Sequence, residues 1–205
     1  MLKSACDTAY DWCGRDAQRT TLSVNVSALQ IDERFCSVIE KTLERSRFPA
    51  KHLELEITES TLIANPDIVI DCLRQWKDLG IRIAMDDFGT GYSSLSYLSR
   101  LPVDTLKVDQ SLIHRITLDE KSAAITRAIV SLGADLGIDV IAEGVETEEQ
   151  LQMLTQLGCP RAQGYLLARP MPAKQAQVAL RRTWGERLTL VNQPAAAAAG
   201  QSYAH

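Results

Sequence analysis

The sequence lacks several things, and each lack excludes a class of protein. Its five cysteines, Cys6, Cys13, Cys36, Cys72 and Cys159, are odd in number and contain no C-x-x-C pair. A zinc knot or a disulfide framework is therefore not expected, and a reducing cytoplasm fits. Cys6 and Cys13 lie on one face of a helical stretch, which reads as core. No apolar run is long enough to span a membrane, and no signal-peptide pattern opens the chain. There is no basic excess: 22 Lys and Arg stand against 26 Asp and Glu, for a net charge of −4. A nucleic-acid polymer is not the expected partner, because its binders carry a basic face. A small anionic ligand remains compatible if bound metal supplies positive charge.

What is present suits one globular domain, or most of one: 205 residues, 45% hydrophobic and 23% charged. Leu2–Gly14 reads as an amphipathic helix. Strands are expected at Leu22–Ser27, Leu53–Thr58, Ile81–Asp86, Thr105–Asp109, Asp139–Glu143 and Arg161–Tyr165. Helices are expected between them. Asp32–Arg45 has Asp32 as its cap, and Pro66–Leu79 is stopped by Gly80. A short helix, Ser94–Arg100, comes next. Glu120–Leu136 ends at Gly137, and Thr147–Leu157 opens with a Thr147/Gln150 capping box. Ala173–Arg182 is the last. Strand and helix alternate at a spacing of roughly 25–35 residues, the rhythm of parallel α/β folds. Residues 1–185 form the expected domain, and the Ala-rich stretch over 186–205 is expected to be a disordered tail.

The strands do not read as the continuous apolar runs of an ordinary parallel sheet. One face carries Val24, Leu53, Leu55, Ile57, Ile83, Met85, Leu106, Val108, Val140 and Ala142. The other carries Ser23 and Asn25, Glu54 and Glu56, Asp86, Thr105, Lys107 and Asp109, Glu143, and Gln163. An open doubly wound sheet gathers polar residues at one switch point. Polar groups at the ends of successive strands instead indicate a (β/α) barrel with its site at the C-terminal mouth. Taken singly, each residue has a bland reading. Glu54 reads as a solvated strand-end acid, Asn25 as a turn residue, and Lys107 as an ion-pair partner of Asp109 or Asp87. Taken together they form a carboxylate-rich site whose charge hard cations would balance.

Six segments then carry a family likeness: NVS at 25–27, LELEITES at 53–60, DDFGTGYSSLSYL at 86–98, LPVDTLKVDQSLI at 101–113, IAEGVETEEQL at 141–151 and GCPRAQGYLLARPMP at 158–172. In order and spacing they resemble the EAL-domain family of cyclic di-GMP phosphodiesterases and catalytically silent cyclic di-GMP receptors. The resemblance implies a TIM-like (β/α) barrel, incomplete here, with about six of eight strands present. It implies two Mg²⁺ or Mn²⁺ ions and hydrolysis of cyclic di-GMP to linear pGpG. Asn25, Glu56 and Asp86 match ligands of one metal, and Asp86, Asp87 and Glu143 lie with the other. Lys107 and Glu143 match catalytic positions, and Gln163 and Asp109 substrate-binding ones. Glu59 matches the glutamate that anchors the loop Phe88, Gly89, Thr90 and Gly91 onward to Ser94, which couples a homodimer contact to the site. The sequence contains no Glu-Ala-Leu tripeptide. By this likeness the chain is truncated ahead of its first helix, with its first and last strands left as edges. A sensor domain on a longer chain is the expected companion. The alternative implied is a silent cyclic di-GMP-binding regulatory module.

Overall fold

A computed structural model describes residues 2–13, 21–64, 66–90, 98 and 100–181. Six strands form one parallel sheet: β1 (Leu22–Asn25), β2 (Leu53–Thr58), β3 (Arg82–Phe88), β4 (Thr105–Val108), β5 (Asp139–Ala142) and β6 (Arg161–Ala162). They pair in sequence order, β1 to β6, and the intervening helices complete a half-barrel. Among the described residues β1 and β6 each have one neighbour, as expected of edges.

The core lies between the sheet and the helices outside it. Leu53, Leu55, Ile57, Ile83, Leu106 and Val140 on the strands pack with Ile39, Leu73 and Trp76 on the helices, all at 0–1% exposure. The Trp76 indole N–H donates to Cys36 Sγ at 3.2 Å, so its one polar atom is satisfied within the core. Cys6, Cys36, Cys72 and Cys159 are buried free thiols. The side chain of Cys13 lies outside the described residues.

The helices follow their caps. Asp32 accepts from Phe35 N to start Glu33–Ser46, and the Thr147/Gln150 box starts Glu148–Gln156. Gly137, at φ 69°, closes Glu120–Leu136. Helices Pro66–Asp78 and Ala173–Arg181 also lie where expected.

Several boundaries differ from expectation. β3 runs on to Phe88, which is a buried strand residue and not the first residue of a loop. β4 stops at Val108 because Asp109 caps a further helix, Gln110–Arg115, accepting from Ser111 N. A short helix, Glu59–Ala64, follows β2 directly. β6 is only Arg161–Ala162, since the chain turns at Gly164. The expected helix Ser94–Arg100 falls largely outside the described residues, as does the expected tail. No described helix is long and apolar enough to cross a membrane.

Candidate active site

The inward face of the sheet carries two polar layers, set by a side-chain period of two. The upper layer lies at the C-terminal strand ends and centres on Lys107 of β4. Its ammonium is 2.8 Å from Glu56 Oε2 on β2, 3.0 Å from Asp86 Oδ1 on β3 and 2.7 Å from Glu143 Oε1 just beyond β5. The Lys107 side chain is 7% exposed. Burial alone would lower its pKa, but bonds to Glu143 and Glu56 raise it well above the ordinary lysine value. Lys107 is therefore a fixed cation. Its partners are Glu56, Asp86 and Glu143, and not the Asp109 or Asp87 that the sequence offered as ion-pair partners.

Glu143 also accepts a hydrogen bond from the Gln163 amide, which follows β6. Burial pushes the Glu143 carboxyl up, and the Asp86 and Glu56 charges add to this against the pull of Lys107. Carboxylates thus outnumber cations in the layer. Asn25, on β1, lies in register with Glu56. Five strands therefore contribute to the upper layer at or just beyond their C-terminal ends, and β6 contributes Gln163.

Asp86 and Asp87 would face opposite ways in a regular strand. The pairing of β3 with β4 slips between Met85 and Phe88, and Asp87 takes φ 56°. That kink interrupts the alternation at the acid pair. Burial raises the Asp87 carboxyl, and Asp86 and Asp109 raise it further. Asp109 thus lies beside Asp87 while also capping Gln110–Arg115. Gly89, at φ 100°, brings the following backbone close to Leu112 and Ile129. A Cβ there would sit 2.9 Å from a methyl of each. Thr90 Oγ1 donates to Asp87 O at 3.0 Å. Gly91 and the rest of the loop lie outside the described residues. Glu59 Oε2 is, among the described residues, the one buried side-chain oxygen or nitrogen without a hydrogen-bond partner.

The lower layer was only partly read from the sequence. Glu54, 4% exposed, accepts from Ser23 Oγ at 3.0 Å, Thr105 Oγ1 at 2.8 Å and Arg82 Nε at 3.2 Å. It is a buried hub, and the reading as a solvated acid is corrected. Arg82 also reaches Thr105 Oγ1 and Asp139 Oδ2, and Asp139 continues to Arg161 at 2.9 Å. Arg82 and Asp139 lie four residues before Asp86 and Glu143 on their strands, so the same alternation marks them. Arg161 lies two before Gln163. Nothing in the sequence says that this layer would bond across all six strands.

The upper layer offers hard side-chain oxygens from Asn25, Glu56, Asp86, Asp87 and Glu143, and its carboxylates exceed its cations. Both features fit Mg²⁺, Mn²⁺ or Ca²⁺. Among the described residues, no three acidic, histidine or cysteine side chains are gathered as a ready metal cage. The Lys107 ammonium stands between the carboxylates.

Comparison with known proteins gives the family of the chain. The EAL domain family matches residues 1–170. The chain is 44% identical over 176 residues to the bifunctional diguanylate cyclase/cyclic di-GMP phosphodiesterase MucR of Pseudomonas aeruginosa, covering 85% of this chain and 26% of that protein. It is 41% identical over 182 residues to the cyclic di-GMP phosphodiesterase NbdA of the same organism, covering 88% of this chain and 23% of NbdA. The chain thus spans about a quarter of the length of these curated relatives. The structure of the MucR phosphodiesterase in complex with c-di-GMP superposes with a TM-score of 0.82, covering 85% of this chain and 71% of that one. A manganese/cy-diGMP complex of Klebsiella pneumoniae BlrP1 gives a TM-score of 0.73 at 31% identity, covering 82% and 44%.

Proposed function

The chain belongs to the EAL domain family, and from that premise we propose that it is a metal-dependent phosphodiesterase that opens cyclic di-GMP to linear pGpG. The observation that carries the reading is the bonding of buried Lys107 to Glu56, Asp86 and Glu143 at the ends of successive strands. The binding of cyclic di-GMP by the MucR relative supports the choice of substrate.

Asn25, Glu56, Asp86, Asp87 and Glu143 would hold two divalent ions, Mg²⁺ or Mn²⁺. Such ions lower the pKa of a bound water and neutralise charge on a phosphodiester. The residues of the chain have separate tasks. Lys107 keeps a permanent positive charge in a dry pocket, where it favours the extra negative charge that develops on phosphorus-bound oxygens. Glu143, held between Lys107 and Gln163, orients its carboxylate toward the reacting group. Gln163 and Asp109 would contact the nucleotide. Glu59, Phe88 at the end of β3 and the loop Gly89–Gly91 would couple the site to a homodimer partner. The setting proposed is cytoplasmic second-messenger signalling, with a sensor domain elsewhere on a longer chain.

A second reading is a regulatory module that binds cyclic di-GMP without hydrolysing it. It is favoured by the way Lys107 already satisfies three carboxylates. Following pGpG with Mn²⁺ present separates the two. Product supports the enzyme, and binding without product supports the module.

A further inference from the structure

The start of helix Gln110–Arg115 is wedged between two parts of the acid cluster. On one side Asp109 N donates to Phe88 O at 3.3 Å, just past the Asp86–Asp87 pair. The Asp109 side chain caps the helix at Ser111 N, 2.9 Å away, and lies in hydrogen-bond contact with the Asp87 carboxyl. On the other side Glu143 N donates to Val108 O at 3.1 Å. The junction of β4 with this helix therefore sets how far Asp87 and Asp109 stand from Glu143.

Gly144, the residue after Glu143, makes a close approach across that junction. It takes φ 70°, and a Cβ there would lie 2.6 Å from Gln110 Cβ and 3.4 Å from Gln110 Cα. An approach of 2.6 Å is well inside van der Waals contact, so something must shift. His114 Nε2, at 3.4 Å, is the tip of an exposed side chain and can swing aside. The loop cannot retreat. Val145 is fully buried, its N–H is bonded to Gln163 O at 3.0 Å, and a Cβ at Gly164 would sit 2.2 Å from both its nitrogen and its oxygen. Gln110 and Ser111 are exposed whereas Leu112 and Ile113 are buried, so the first turn of the helix is the part that gives.

We propose that Gly144 is a positioning residue: its missing side chain lets Gln110 close up, and this sets the spacing between Asp87 and Asp109 on one side and Glu143 on the other. The proposal rests on the reading of the acid cluster as a two-cation site. Gly144→Ala pushes out the first turn, and with it Asp109 and the Asp87 carboxyl bonded to it. Asn25 and Glu56 lie on β1 and β2, away from the junction. The ion served by Asp87 and Glu143 is therefore weakened, and the ion served by Asn25 and Glu56 is not.

The test is calorimetric titration of the chain with Mn²⁺ alone, with thermal melts alongside. Wild type, Gly144→Ala, and Gly144→Ala combined with Gln110→Gly or with Gln110→Ala are compared. Wild type is expected to bind two ions. Gly144→Ala should bind the second about 10–100-fold more weakly, the usual cost of disturbing the groups that orient a ligand. Gln110→Gly removes the opposing Cβ and should restore the second ion, whereas Gln110→Ala keeps that Cβ and should not. Strain from alanine at positive φ is common to all three variants and does not produce this split. Two ions bound by Gly144→Ala as tightly as by wild type, or equal binding by the two double variants, overturns the positioning role alone. If Gly144→Ala does not melt cooperatively, the double variants decide. Failure of Gln110→Gly to restore both the melt and the second ion then overturns the role. One ion or none in a cooperatively melting wild type overturns the two-cation reading and the positioning role together.

Discussion

Lys107 Nζ and Glu143 Oε1 lie 2.7 Å apart across β4 and β5, in a pocket where the lysine side chain is 7% exposed. Each shifts the other. The lysine bond restrains a Glu143 carboxyl that burial drives up, and Glu143 is the largest source of the Lys107 upward shift. Removing the lysine leaves buried Glu56 and half-buried Asp86 and Glu143 with no ammonium between them. Lys107→Met should therefore cost about 3 kcal/mol of unfolding free energy, read by urea denaturation. In the folded fraction, pGpG formation should fall by roughly 100-fold or more.

The lower layer makes an independent prediction. Arg82 joins Glu54, Thr105 and Asp139. Arg82→Met strands a nearly buried Glu54 carboxylate, and about 2 kcal/mol should be lost in the same assay, discounted because Arg82 is partly solvated. Arg82→Lys should recover only part of this, since one ammonium cannot serve three strands as the guanidinium does.

These two layers also show how far the sequence could be read. Strand β2 and helix Glu120–Leu136 stand at their expected bounds, because period-two alternation and a C′ glycine are local signals. The upper-layer residues were legible for the same reason, as polar groups repeated at strand ends. Glu54 was misjudged because its burial depends on Arg82 and Thr105, 28 and 51 residues away. Helix Gln110–Arg115 was missed because Asp109 continues the polar alternation of β4 while its side chain caps the next helix. The slip in β3 at Asp86–Asp87 left no local mark as a slip, and the sequence ended the strand at Asp86 where the structure kinks and runs on to Phe88.

Gly133 sets two effects against each other. Alanine is the better helix former by about 1 kcal/mol. A Cβ at Gly133, however, would lie 2.3 Å from Val140 Cγ2 and 2.9 Å from Ile138 O, so the helix would have to lift from β5. Overpacking costs about 1–3 kcal/mol. Gly133→Ala should therefore lower the urea midpoint, and a raised midpoint would show that the helix moves freely.

Cys159 predicts an alkaline dependence. Burial raises its thiol from 9.0 to about 11. Between these values the unfolded thiol loses its proton while the folded one keeps it, so stability falls as pH rises. The slope is about 1.4 kcal/mol per pH unit for this one group. Cys159→Ala should flatten the stability curve by that amount between pH 9 and 11. An unchanged slope would contradict the assignment.

The central claim is tested most directly by incubating the chain with cyclic di-GMP and Mn²⁺ and separating the nucleotides by chromatography. Linear pGpG should accumulate, stop on chelation of the metal, and be lost in Glu56→Gln and Asp86→Asn. Recovery of intact cyclic di-GMP from a folded, cooperatively melting sample with metal present would contradict the account.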